Sequence, residues 1–332
     1  MQRRRLLAGG AGLLAGATLA RHALAQAPTP VDLPFVNGKR KLVAFPEKRP
    51  LIVLTSRPPQ LETPFEVFND GLLTPNDAFF VRYHNAGIPT SIDADTHIIK
   101  IGGNALAKPH ELKLSELRTQ FKPTEIVAVN QCSGNSRGFF SPRVTGGQLG
   151  NGAMGNARWL GVPLKDVLAR AEPKNSARQV SFNGLDIALF GGGNFVKALD
   201  IAHAMDGEVM LAYQMNGADI PLLNGYPVKL AAALATAWPT AAPAVPKNIE
   251  LPPDGLQLKP SALPGFEKAQ AHCTACHSAE YMAFQPPTAA RPYWDAMVKR
   301  MKGVFKAPVP DADMPAIVDY LVKTYGNEQV AP

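Results

Sequence analysis

Apolar and polar positions change period several times along this chain of 332 residues. Ile98-Ile99-Lys100-Ile101 and Glu125–Val129 are short runs rich in β-branched residues. Glu208–Tyr213 is a third, followed by the Asn216-Gly217 turn signal; all three predict strands. Leu164, Val167 and Leu168 fall on one face of a helix over Leu164–Ala169. Further on, Glu267–His272 predicts a short helix and Asp311–Thr324 a longer one. In the latter, Met314, Ile317, Val318 and Leu321 repeat as i, i+3, i+4, i+7, and Asp311 is placed to cap it. Residues 26–60 are Pro-rich without clear periodicity and predict an extended arm. Pro239, Pro243, Pro246, Pro252, Pro253, Pro260 and Pro264 predict an extended linker over 239–264. The fold class is therefore α+β over 61–238, followed after the linker by a small all-α unit at 265–326. There is no Walker A loop, and Gly191-Gly192-Gly193 lacks the GxGxxG spacing and reads as a turn.

Composition is that of a folded protein, 46% hydrophobic and 18% charged. The formal charge is +7, but residues 1–25 hold four arginines and no acid, so their removal would leave +3. With no basic tract interleaved with aromatics, nucleic acid is not an expected partner. Arg3-Arg4-Arg5, the apolar run Leu6–Ala20 and the small-x-small site Ala23-Leu24-Ala25 predict an export signal over 1–25. The apolar run is shorter than the roughly 20 residues that span a bilayer, so the alternative, a stable membrane anchor, is not expected. Adjacent arginines fit the twin-arginine route to the periplasm, which carries folded proteins.

Export permits disulfides, yet the chain has only three cysteines. Two stand in Cys273-Thr274-Ala275-Cys276-His277. In CxxCH the two thiols bond the vinyl groups of a haem and the histidine ligates its iron. A zinc site would need two further ligands, and His272 is the near candidate. A unit of about sixty residues has a small core, to which a covalent haem would add buried surface. Met282, Met297, Met301 and Met314 are the candidate sixth ligands. Met282 follows His277 too closely to reach the opposite haem face, and Met314 fits the helix stripe. The third cysteine, Cys132, lies after a strand in Asn130-Gln131-Cys132-Ser133-Gly134-Asn135-Ser136-Arg137. A lone cysteine is commonly an apolar filler, but polar and glycine neighbours suit a ligand loop, and thiolate suits a heavy transition metal.

Several separated motifs resemble the sulfite oxidase family, in its bacterial sulfite:cytochrome c oxidoreductase branch. They are Phe79-Phe80-Val81-Arg82-Tyr83-His84-Asn85, the Cys132 loop, Ser141-Pro142-Arg143-Val144 with Gly147-Gln148, and Gly152–Trp159. Leu211–Gly217 and Gly225-Tyr226-Pro227-Val228 complete the set. The stretch Trp294-Asp295-Ala296-Met297-Val298-Lys299-Arg300-Met301 resembles the W-x-x-x-V-x-x-M segment of small cytochromes c that serve periplasmic dehydrogenases. There the last methionine binds iron, which favours Met301 over Met297.

The resemblance implies a molybdenum–molybdopterin cofactor, with Cys132 as the thiolate on the metal. It implies Arg82 facing the sulfite oxyanion, Tyr213 donating a hydrogen bond in the substrate pocket, and His84, Asn85, Arg137 and Arg143 holding the pterin. The implied reaction is oxidation of sulfite to sulfate, with electrons leaving singly through a class I-like cytochrome c domain. An external c-type cytochrome or a terminal oxidase would accept them. Where the family continues past Val228-Lys229-Leu230 with a pterin-covering segment and a dimerisation sandwich, Ala231–Pro246 and the linker follow here, so the molybdopterin domain reads as shortened. Two alternatives are a haem electron carrier with an inactive front domain, and a sulfoxide reductase of the same fold.

Overall fold

The structure, a computed structural model, describes residues 30–32, 39–144, 146–232, 235–236 and 247–329. The export signal, most of the stretch 26–38 and the first part of the linker, 239–246, lie outside the described residues. Among the described residues, no helix is long and apolar enough to cross a membrane.

Strands β1 (Pro30–Asp32), β2 (Lys39–Val43), β3 (Leu51–Thr55), β4 (Gln60–Glu62) and β5 (Val81–Arg82) form one antiparallel sheet in that order. This corrects the extended arm expected over 26–60. Leu51-Ile52-Val53-Leu54-Thr55 is buried along its whole length. Such a run shows no period of two because both its faces are covered.

After β6 (Ser91–Ile92), the hairpin β7 (Ile98–Ile101) and β8 (His110–Lys113) leads into α1 (Leu114–Gln120). Strand β9 (Thr124–Gln131) pairs with β10 (Met154–Pro163), which runs into α2 (Leu164–Ala171). The exposed hairpin β11 (Gln179–Asn183) and β12 (Val196–Asp200) precedes the short α3 (Ile201–Ala204). Strand β13 (Val209–Met215) then enters beside β10 and is flanked by β14 (Ala218–Asp219) and β15 (Lys229–Ala232); β16 (Ala235–Thr236) adds to β9. The β9–β10–β13 sheet separates two cores. Leu160, Val162, Leu211 and Tyr213 pack with α1 and α2 on one face. Trp159, Met210 and Ala212 pack with Leu54, Phe79 and Phe80 on the other.

The C-terminal helices are α4 (Gly265–His272), α5 (Glu280–Ala283), α6 (Arg291–Gly303) and α7 (Met314–Tyr325). A side chain on Gly265 would collide with the Ala316 carbonyl, so glycine permits the close α4–α7 approach. Ile317, Val318 and Leu321 are buried in the helical core, with Met314 packed against it. The expected cap is not formed by Asp311, which pairs with Lys302 at 2.7 Å; the helix begins three residues later. Asp313 precedes it and binds Lys268 and His272 instead.

The linker is no free spacer where it is described. β17 (Lys247–Asn248) pairs with β6, Asp254 forms a forked ion pair with Arg57, and Leu258 is buried in the helical core. Proline removes N–H donors, so side chains and the remaining amides carry the attachment.

Candidate functional site

The Cys132 loop leaves β9 and returns at β10. Cys132 N–H donates to Ala153 O at 2.9 Å, closing the loop, and Gly134 N–H points at Cys132 Sγ at 3.4 Å. The thiol is free and half-buried at the margin of the Phe79–Trp159 core. Arg137 staples its own loop: it donates to Gly147 O at 3.4 Å, and a Cβ on Gly146 would lie 2.7 Å from its guanidinium.

Strand β4 lines the other wall. Its three residues are buried, and each meets the Cys132 loop or the strand of Arg82. Glu62 accepts from Gly150 N–H at 2.6 Å, and Gln60 is the antiparallel partner of Arg82. Burial pushes the Glu62 carboxyl up to about 7, against the opposing pull of Arg40.

Three buried polar atoms around this wall, Arg82 Nε, Gln148 Oε1 and Gln60 Oε1, have no hydrogen-bond partner among the described residues, and neither has Asn85 Nδ2, three residues beyond Arg82. Unmet buried donors and acceptors at one place call for a polar ligand. Together with a free thiol they fit a cofactor that offers donors and acceptors along its edge and a metal at its end. Arg143 lines a cleft of about 270 Å3 shared with Tyr293 and Thr288 of the helical module.

His84 stacks on Phe195 with ring centroids 4.6 Å apart, and Phe305 of the helical module lies 6.1 Å away. Its imidazole is held below the ordinary histidine range, first by burial and then by the charges of Arg82, Lys197 and Arg300. Three cations thus converge near this ring. Sequence reasoning missed Lys197, Phe195, Arg300 and Phe305. The last two come from a module more than two hundred residues downstream, and no local pattern marks them. Gly192 accepts the same approach, since a Cβ there would lie 2.9 Å from Phe305 O.

Tyr213 is not part of this cluster. On β13 it points to the face opposite Ala212 and Cys132, buried beneath the Arg118 guanidinium at 4.8 Å. Arg118 in turn pairs with Asp219 at 3.1 Å. Strand alternation sends Tyr213 into the helix-covered core, on the other face of the sheet from Cys132.

In the helical module Cys273 and Cys276 are both free and half-buried, and burial pushes the Cys273 thiol up to about 11. His277 Nδ1 lies 3.1 Å from Ser278 O, an arrangement in which Nδ1–H donates and Nε2 keeps its lone pair. Two free thiols beside an imidazole oriented this way fit a haem held by thioether bonds. His272 pairs with Asp313 at 3.3 Å and is engaged away from the cysteine pair. Met282 is buried in the helical core, while Met297 and Met301 are half-buried on α6. Met301 continues the face of buried Trp294 and Val298.

The two parts are joined at the CxxCH motif itself. Arg57 donates to Ala275 O at 3.1 Å and Thr274 O at 2.5 Å, while its fork holds Asp254. Ser278 N–H donates to Arg57 O at 2.8 Å, and Ser56 Oγ donates to Glu280 at 2.7 Å.

Residues 85–241 match the family model of the oxidoreductase molybdopterin binding domain. The chain is 35% identical to the mitochondrial sulfite oxidase of Mus musculus over 204 residues, 59% of this chain and 37% of that protein. It is 34% identical to the sulfite oxidase of Gallus gallus over 193 residues, 56% of this chain and 41% of that protein. The chain thus spans about two fifths of the length of these curated relatives. Among solved structures, the sulfane dehydrogenase SoxCD of Paracoccus pantotrophus matches with a TM-score of 0.42 and 26% identity, covering 49% of this chain and 39% of that one.

Proposed function

We propose that the chain is a sulfite-oxidising enzyme of the periplasm with a molybdopterin domain of the sulfite oxidase type and a c-type cytochrome as its C-terminal module; the match of residues 85–241 and the likeness to sulfite oxidases support this. The observation that carries the reading is the free Cys132 thiol beside buried polar atoms that no described residue satisfies. Cys132 would bind molybdenum, and His84, Asn85, Arg137 and Arg143 would hold the pterin. When bound, that cofactor supplies the oxygen-atom and two-electron chemistry.

The chain's own residues bind and orient the substrate. Arg82 has one guanidinium nitrogen on the Tyr83 carbonyl and a second, Nε, buried and unmatched. A planar cation held in this way suits a tetrahedral oxyanion, which it can meet with charge-assisted bonds. Lys197 and Arg300 add positive field at the same place. The Phe195 and Phe305 rings lie beside the His84 imidazole.

Cys273 and Cys276 would bond the haem, His277 would ligate its iron, and Met301 would take the sixth position. Iron changes by one electron at a time, so the haem would pass electrons singly to an external c-type cytochrome or a terminal oxidase. The test is sulfite-dependent haem reduction in purified, metal-assayed protein. Appearance of the reduced-haem band on adding sulfite is the expected result. A fully loaded protein that reduces sulfoxides and leaves its haem oxidised in sulfite would overturn the reading.

A further inference from the structure

Gln60 stands where the two parts of the molecule meet. It is fully buried on β4, and its backbone partner across the sheet is Arg82. Its Oε1 faces the Cys132 loop, 3.1 Å from where a Cβ on Gly147 would lie. Its amide nitrogen donates to the Tyr281 hydroxyl, 221 positions along the chain. Tyr281 follows the CxxCH motif by four residues, and its ring centroid is 4.8 Å from that of His277. Burial raises the Tyr281 phenol while the charge of Arg82 opposes that rise, which places the two residues within electrostatic reach.

A continuous line of protein atoms therefore runs from the strand pair carrying Arg82, through one hydrogen bond and one ring contact, to the histidine of CxxCH. Its ends are fixed. Ser56, Arg57, Ser278 and Glu280 exchange hydrogen bonds on both sides of it, so the contact is not a passing one. Ser278 also reaches the His277 ring, but from the Ser56–Arg57 turn; the Gln60–Tyr281 bond reaches it from the strand that pairs with Arg82.

We propose that Gln60 and Tyr281 form the bridge along which single electrons pass from the sulfite-oxidising centre to the haem, entering on the His277 side. The proposal rests on the sulfite-oxidising reading above. Sulfite and water give sulfate, two protons and two electrons. The first electron reduces ferric haem to ferrous haem, and an external ferric c-type cytochrome takes it away before the second follows the same path. Gln60 and Tyr281 are positioning residues here: neither gains nor loses a proton or a bond.

The test uses the full-length holoprotein, with molybdenum and haem measured per chain. A flash-generated flavin radical reduces the haem, and the return of that electron to the molybdenum centre is read as haem reoxidation, without turnover. Tyr281→Phe removes the hydroxyl and keeps the ring. It is expected to slow that reoxidation severalfold, because the hydrogen-bonded link from β4 to the ring beside His277 is cut. Direct haem reduction by the flavin radical is expected to be unchanged, which a merely structural disturbance of the haem would not leave intact. Should Tyr281→Phe fail to take up haem, Gln60→Met cuts the same link from the other side and is expected to give the same slowing. Reoxidation within about twofold of the unaltered protein, with both metals at full content, overturns the bridge and leaves the function standing. Unaltered protein that lacks molybdenum or haem overturns both.

Discussion

Arg82 carries a buried nitrogen with no protein partner among the described residues, and that sets what its replacement should do. Under the proposed function, Arg82→Met would remove a charge-assisted contact to the oxyanion, worth about 1.5–3 kcal/mol. Steady-state kinetics should therefore show kcat/KM for sulfite reduced roughly ten- to a hundredfold. Tyr213 provides the contrast. It lies on the far face of β13 under Arg118, so Tyr213→Phe should leave kcat/KM within about twofold. A larger loss would place its hydroxyl at the substrate after all. Glu62 makes a different prediction. Its carboxyl has an ordinary value of 4.5 and is raised to about 7 in the fold. The stability it contributes is complete below 4.5, where folded and unfolded chains both hold the proton. It is lost progressively as pH rises to about 7, because the unfolded chain ionises first. Urea titrations from pH 4.5 to 8 should show Glu62→Gln flattening this decline while keeping the Gly150 contact.

Elements differ in how plainly the sequence announces them. The β-branched runs at Ile98–Ile101 and within Thr124–Gln131 and Val209–Met215 form strands as expected, and apolar spacing marks α2. β3 escapes because a strand covered on both faces has no alternation to see, and the prolines around it resemble a linker. β11 and β12 escape for the opposite reason: they are exposed and bury too little to show a pattern. The Cys132 loop and CxxCH are legible because their chemistry is local in sequence. The His84 cluster is not, since Arg300 and Phe305 reach it only after the helical module has packed. Leu51→Ala, within the supposed arm, should cost about 2–5 kcal/mol in chemical unfolding, as a cavity in a buried strand does. A loss near zero would return β3 to the status of an appendage.

At the scale of the whole molecule, the helical module is seated on the front part by the Ser56–Arg57 turn, which grips both the CxxCH carbonyls and Asp254. This seating brings cations to the His84 cluster and Tyr281 to Gln60 at once. Arg57→Ala should loosen it, and calorimetry should then resolve two transitions where the unaltered protein unfolds in one. An unchanged single transition would mean that the remaining contacts suffice. The central claim is that one chain holds two redox centres, a metal on Cys132 and a haem on Cys273, Cys276 and His277. The direct measurement is the molybdenum and iron content per chain of the purified protein. The account predicts one atom of each, with molybdenum lost in Cys132→Ala while iron stays. Iron at full content with no molybdenum in the unaltered protein would contradict it.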